Sequence, residues 1–487
     1  ADSITSGSGN DSISGGADND TLVFGVNLTS SDTVDGGSGT GDILTFTDGN
    51  SASDDLNRVT NVETITLGNA DTTVTSVDAL VASGATLTVD GSALSGTKKL
   101  TWDGSAETNG SFNITGGAGA DTIIGGSGAD SLTSGLGNDS ISGGADNDTL
   151  VFGDNLTSSD TVDGGSGTGD ILTFTDGNSA SDDLNRVTNV ETITLGNADT
   201  TVTSVDALVA SGATLTVDGS GLSGSKKLTW DGSAETNGSF NITGGADADT
   251  IIGGSGADSI TSGLGNDSIS GGADNDTLVF GDNLTSSDTV DGGSGTGDIL
   301  TFTDGNSASD DLNRVTNVET ITLGNADTTV TSVDALVASG ATLTVDGSGL
   351  SGSKKLTWDG SAETNGRFNI TGGAGADSLT SGSGNDSISG GADNDTLVFG
   401  VNLTSSDTVD GGSGTGDILT FTDGNSASDD LNRVTNVETI TLGNADTTVT
   451  SVDALVASGA TLTVDGSGLS GTNRLIWNGS AETNGSF

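Results

Sequence analysis

The chain has no cysteine, histidine, proline, methionine or tyrosine in 487 residues. Without cysteine there is no disulfide, no thiolate nucleophile and no thiolate-bound zinc or iron–sulfur centre. Without histidine there is no Ser-His-Asp triad, no imidazole base and no imidazole metal ligand. Basic residues are scarce, 12 against 68 acidic ones, for a formal charge of -56. That balance opposes contact with a phosphate backbone, so no nucleic-acid partner is expected. No run of about 20 apolar residues occurs, so no transmembrane segment is expected. Aromatic residues make up only 3%, which suits a thin core better than an ordinary globule. Missing disulfides do not exclude export. Glycine, at 81 residues, and hard oxygen donors are what the chain has in quantity, and hard oxygen donors suit calcium.

The chain repeats itself. The string Thr-Leu-Val-Phe-Gly begins at Thr21, Thr149, Thr277 and Thr396, at intervals of 128, 128 and 119 residues. Trp102, Trp230, Trp358 and Trp477 keep the same intervals, and Thr149–Gly238 is identical to Thr277–Gly366. Four units are read over 1–115, 116–243, 244–371 and 372–487. The shorter interval exposes a smaller period. Residues 116–151 divide into four consecutive nonapeptides, among them GGSGADSLT and SGLGNDSIS, whereas residues 372–398 hold only three. One nonapeptide is missing there with the frame kept, so nine residues form a structural step.

Each step has a mechanical reading. Glycines at its first, second and fourth places allow a tight turn, the sixth place is Asp, and the last three residues alternate polar, apolar, polar, as in Ser131-Leu132-Thr133. A turn of six and a strand of three, repeated, predict an all-β parallel solenoid. The nonapeptides resemble the RTX, or haemolysin-type, calcium-binding repeat GGxGxDxUx over about a quarter of the chain. The resemblance implies a β-roll or β-helix with calcium held between turns by the sixth-place Asp and by turn carbonyls. By position these are Asp11, Asp20, Asp121, Asp130, Asp139, Asp148, Asp249, Asp258, Asp267, Asp276, Asp377, Asp386 and Asp395. Elementary electrostatics agrees: coils about 4.8 Å apart would bring like carboxylates together, and a divalent cation relieves that repulsion.

Two departures give further candidate ligands. Asp18, Asp146, Asp274 and Asp393 replace the fourth-place Gly, and Asp tolerates the left-handed region. A looser copy, GGSGTGDIL, places Asp42, Asp170, Asp298 and Asp417 one residue late. Asp90 and Asp103 read as solvated turn formers. The remaining 80 or so residues of each unit alternate like strands, as in Leu44-Thr-Phe46 and Leu100-Thr-Trp102, and predict the same ladder with longer turns. Short helical insertions are expected at Ser76–Gly84, from its Ser cap and terminal Gly, and at Ser51–Val59. Each Trp shares a face with a Leu two residues earlier, which reads as core rather than as a sugar platform. Arg58, Lys98 and Lys99, with their later equivalents, read as isolated solvated pairs.

No carboxylate sits in a context that marks it as catalytic, and no enzymatic role is expected. The favoured reading is a secreted, calcium-dependent structural protein: a subunit or stalk of a surface layer, matrix filament or adhesin, self-associating into filaments or sheets and attached to a cell surface, if at all, through regions outside this chain. The alternative is the calcium-binding secretion and folding module of a larger exported toxin or enzyme. Outward threonines such as Thr64 and Thr66 raise a third reading, ice or surface binding, which the irregular strand spacing disfavours. Residues 1–10 are polar, without a basic start or apolar core, and read as an interior or processed stretch. Residues 376–487 match 1–112 closely, so each end is expected to show an unfinished coil.

Overall fold

A computed structural model describes residues 1–25, 28–47, 54–152, 156–175, 182–280, 284–303, 310–399, 403–422 and 429–487. Contacts divide the chain into two compact units, Ala1–Asp247 and Ala248–Phe487. Among the described residues there are only strands, turns and bends.

In the first unit the nonapeptide strands pair in parallel, in register, with the strand two nonapeptides on. Ser131–Thr133 pairs with Thr149–Phe152, matching Leu132 to Leu150, and Thr122–Ile124 pairs with Ser140–Gly144, matching Ile123 to Ile141. One coil is therefore two nonapeptides, and successive nonapeptides fall alternately into two sheets. The ladder continues through the spacer with longer coils: Leu150 pairs with Leu172, Leu172 with Ile193 and Ile193 with Val217. This is the expected all-β parallel solenoid, with lengthened turns in place of a change of fold.

The core is the strip of apolar residues at strand centres. Leu132, Leu150, Leu172 and Ile193 are fully buried, and so are Trp102 and Trp230. Trp102 of one sheet meets Phe112 of the other edge-on, ring centroids 5.5 Å apart. The pair fills the space between the two sheets with large, fully buried rings. Trp102, Trp230 and Trp358 are core residues, as expected, while Trp477 is half-buried.

The helical insertions are not borne out. Ser76–Gly84 is a pair of turns, closed by three-residue bonds from Leu80 N–H to the Val77 carbonyl and from Ala85 N–H to the Ala82 carbonyl. Nine residues are too few to sustain a helix without tertiary support. Here the tertiary bonds go elsewhere: Gly84 N–H donates to the Asn109 carbonyl, and the Asp78 carboxylate accepts from Thr108 N–H. Of the second proposed helix, residues 51–53 lie outside the described residues, and 54–59 form strand and turn.

The missing nonapeptide has a visible effect within the second unit. In the first unit the Phe-Asn-Ile strand Ser111–Thr115 leads, through Ser131–Thr133, to the Thr-Leu-Val-Phe strand. In the second unit Arg367–Thr371 leads, through Ser387–Ser389, to Thr408–Asp410. There the Thr-Leu-Val-Phe strand Thr396–Phe399 instead follows Ser378–Thr380 and the Trp strand Leu356–Asp359. Nine residues are half a coil, so their loss moves every later strand to the opposite sheet.

Candidate metal centre

Each sixth-place Asp stands immediately before its strand, and its carboxylate ties two coils together. Asp121 N–H donates to Asp139 Oδ1 at 2.8 Å, and Asp130 N–H to Asp148 Oδ1 at 2.7 Å. The other oxygen reaches back into its own turn: Asp121 Oδ2 accepts from Gly117 N–H at 2.6 Å and Asp130 Oδ2 from Gly126 N–H at 2.7 Å. The result is two files of stacked carboxylates in each full array, one along each sheet. Asp249 N–H to Asp267, Asp258 N–H to Asp276 and Asp377 N–H to Asp395 repeat the pattern in the second unit, and Asp386 accepts from Phe368 N–H. All these aspartates are buried, as is Asp20; Asp11 is half-buried.

The looser copies join the same files. Asp20 N–H donates to Asp42, Asp148 to Asp170, Asp276 to Asp298 and Asp395 to Asp417, and the four acceptors are fully buried. The fourth-place aspartates differ. Asp18, Asp146, Asp274 and Asp393 take the left-handed conformation, φ 67° to 72°, with exposed side chains. What they turn inward is the backbone: a Cβ on Gly167 would lie 2.4 Å from the Asp146 carbonyl oxygen and 2.6 Å from both oxygens of Asp170.

Sequence reasoning missed two file members per unit. Asp170 N–H donates to Glu191 Oε2 at 2.8 Å, and Asp139 N–H to Asp160 Oδ1 at 2.6 Å. Glu63, Glu319 and Glu438, and Asp32, Asp288 and Asp407, hold the equivalent places. The signal was present as an acidic residue followed by any residue and then a buried aliphatic: Asp160-Thr-Val162 and Glu191-Thr-Ile193 read like Asp148-Thr-Leu150. Asp90 and Asp103, by contrast, only cap local turns, accepting from Ser92 and Ser105 N–H.

The files are not electrostatically satisfied by the protein alone. Oδ2 of Asp20, Asp42, Asp148, Asp170, Asp276, Asp298, Asp395 and Asp417 is buried without a hydrogen-bond partner. Burial, with Asp130, Asp170 and Asp146 nearby, pushes the Asp148 carboxyl up to about 7, and Asp276 and Asp395 reach about 7 for the same reasons. Burial also lifts Asp130 and Asp386 to about 6, and raises Asp121, Asp377 and Asp417. Asp32, at a file end, is the contrast. Burial pushes it up, but the N–H of Asp11 and the N–H and hydroxyl of Thr29 outweigh that and hold it below the ordinary value.

Unpartnered buried carboxylate oxygens beside carbonyls are what a hard cation requires. A Cβ on Gly143 would lie 2.2 Å from Asp148 Oδ2 and 2.3 Å from the Gly164 carbonyl oxygen, so both oxygens face one small space that only glycine leaves open. Among the described residues no three acidic side chains converge on one point. An ion here would be held by one or two carboxylates and backbone carbonyls, a donor set that fits calcium. Four segments, residues 1–26, 115–150, 243–278 and 369–400, match the family model of the RTX calcium-binding nonapeptide repeat. No curated protein matches the chain.

Proposed function

We propose, from the premise that this chain is an RTX-type repeat protein and binds calcium, that it is an exported structural element whose fold is switched on by calcium. The observation that carries this reading is the row of buried, unpartnered aspartate oxygens. A chain with 31% hydrophobic residues and a charge of -56 has the composition of a disordered polymer. Stacking its coils forces carboxylates out of water and against one another, at a free-energy cost that the thin apolar strip must meet. Calcium, bound to sites absent from the unfolded chain, converts binding free energy into folding free energy.

The sixth-place aspartates serve as the principal calcium ligands, with Asp42, Asp170, Asp298 and Asp417 extending the files and the fourth-place aspartates lending their carbonyls. The four repeat units, near-copies of one another, fit a part whose work is reach and stiffness, in a surface layer, matrix filament or adhesin stalk outside the cell. Exposed carboxylates such as those of Asp18 and Asp146 would be bridged by calcium between neighbouring chains. Among the described residues no helix is long and apolar enough to cross a membrane.

Circular dichroism in chelator and across a calcium titration tests the folding step. Little β signal without calcium and a cooperative gain at millimolar calcium are expected. A chain equally folded in chelator would remove the basis of the proposal.

A further inference from the structure

Outside the matched segments, each unit carries a turn of sequence Gly-Ser-Ala-Glu-Thr-Asn-Gly, at residues 104–110 and 360–366 among others. Its glutamate, Glu107 or Glu363, is completely buried. One oxygen is used locally: Glu107 Oε1 accepts from Gly110 N–H at 2.9 Å, and Glu363 Oε1 from Gly366 N–H at 2.6 Å. The other, Oε2, is buried in both residues with no hydrogen-bond partner. Among the described residues neither glutamate forms an ion pair, and a fully buried carboxylate oxygen without a partner is costly.

What lies against this turn is the second Asp-bearing turn of the array, one coil on. Ser127 N–H donates to the Glu107 carbonyl at 3.0 Å, and a Cβ on Gly126 would lie 3.1 Å from the Glu107 Cβ. That same Gly126 donates its N–H to Asp130 Oδ2. In the second unit Ser383, Gly382 and Asp386 repeat the arrangement beneath Glu363. Backbone carbonyls line the same seam: a Cβ on Gly128 would lie 2.2 Å from the Gly110 carbonyl oxygen, and on Gly384 2.0 Å from that of Gly366.

We propose that Glu107 and Glu363 are calcium ligands of an additional site, formed where the Gly-Ser-Ala-Glu-Thr-Asn-Gly turn meets the coil that carries Asp130 or Asp386. The site joins the spacer to the nonapeptide array, so that calcium fastens the two kinds of coil to each other as well as the array to itself. The inference rests on the calcium reading above, and its rival is a carboxylate bridged by water to a donor such as Trp102 Nε1, which is likewise buried and unpartnered.

The test counts bound calcium in the full chain by equilibrium dialysis, comparing wild type, E107Q/E363Q and, as reference, D139N. Gln keeps the shape and the Oε1 acceptor while removing the charge. Each Glu→Gln change should remove about one bound ion of the oxygen-ligated type, with the β spectrum in saturating calcium retained. If D139N loses calcium and E107Q/E363Q keeps the wild-type number, the additional site is wrong and the calcium solenoid stands. If wild type binds none, the calcium reading itself falls. Should E107Q/E363Q not fold, anomalous scattering from wild-type crystals grown in calcium decides: a peak bonded to Glu107 Oε2 supports the site, and water or a void there overturns it.

Discussion

At the scale of single residues, three buried aspartates are proton sites in the absence of calcium. Asp148, Asp276 and Asp395 ionise near 7 in the ion-free fold against an ordinary 3.8, because burial and their acidic neighbours disfavour the charge. Between about 4 and 7 the folded chain therefore holds more protons than the unfolded one, and stability falls as pH rises through that window. In chelator the β signal should be larger at pH 5 than at pH 8, and D148N/D276N/D395N should flatten the difference. With calcium the order reverses, since protons compete for the same oxygens, and the calcium midpoint should drop as pH rises. A chelated chain better folded at pH 8 would contradict the assignment. Glycine gives a second test. Gly164→Ala would put a Cβ 1.7 Å from the Asn189 carbonyl oxygen, whereas Gly84→Ala meets nothing within 4 Å and strains only its φ of 74°. Thermal melts in calcium should show the first as severe and the second as a loss of about 1 kcal/mol. The sixth-place aspartates were legible because frame, glycine and carboxylate recur together. Glu191 and Asp160 were not, because their turns lack the glycines, and Glu107 was not, because nothing local tells a buried glutamate from a turn former.

At the scale of elements, the unit of exchange is the half-coil. The sequence told strand from turn wherever a single aliphatic alternated with polar neighbours, and the parallel register followed from the nine-residue period. It failed at Ser76–Gly84, where capping residues suggested a helix but the N–H groups of Ser76 and Gly84 donate to Asp103 and Asn109 of the adjacent coil. The shorter array before Thr396 indicates what the fold tolerates. Deleting residues 125–133 from the first array reproduces that arrangement and should transfer Thr149–Phe152 from the sheet of Ser111–Thr115 to the sheet of Leu100–Asp103. The deleted chain should still fold in calcium with fewer bound ions. Deleting eight residues instead of nine shifts the strand period by one, turning Leu150 outward and Val151 inward, and moves every later Asp out of its file. Calcium-dependent β signal and melting temperature compare the two, and an eight-residue deletion as stable as the nine-residue one would refute the half-coil rule.

At the scale of the whole molecule, charge governs association. A formal charge of -56 makes chains repel, and sodium can only screen that repulsion over a Debye length of about 8 Å at physiological ionic strength. Calcium acts differently because it bonds to carboxylates from two sources at once. The buried files should take ions first, since folding gathers and desolvates their oxygens. The fourth-place aspartates, whose side chains are exposed to water, should bind more weakly and need a second chain to complete a ligand shell. Two transitions are therefore expected on raising calcium: a gain of β structure at the lower concentration, then light scattering from calcium-bridged assemblies at the higher. D18N/D146N/D274N/D393N should leave the first unchanged and displace the second to higher calcium. Sodium at matched ionic strength should produce neither. If calcium yields a folded chain that stays monomeric at every concentration, the bridging mechanism fails, and a secretion and folding module within a larger exported protein becomes the better account of the same carboxylate files.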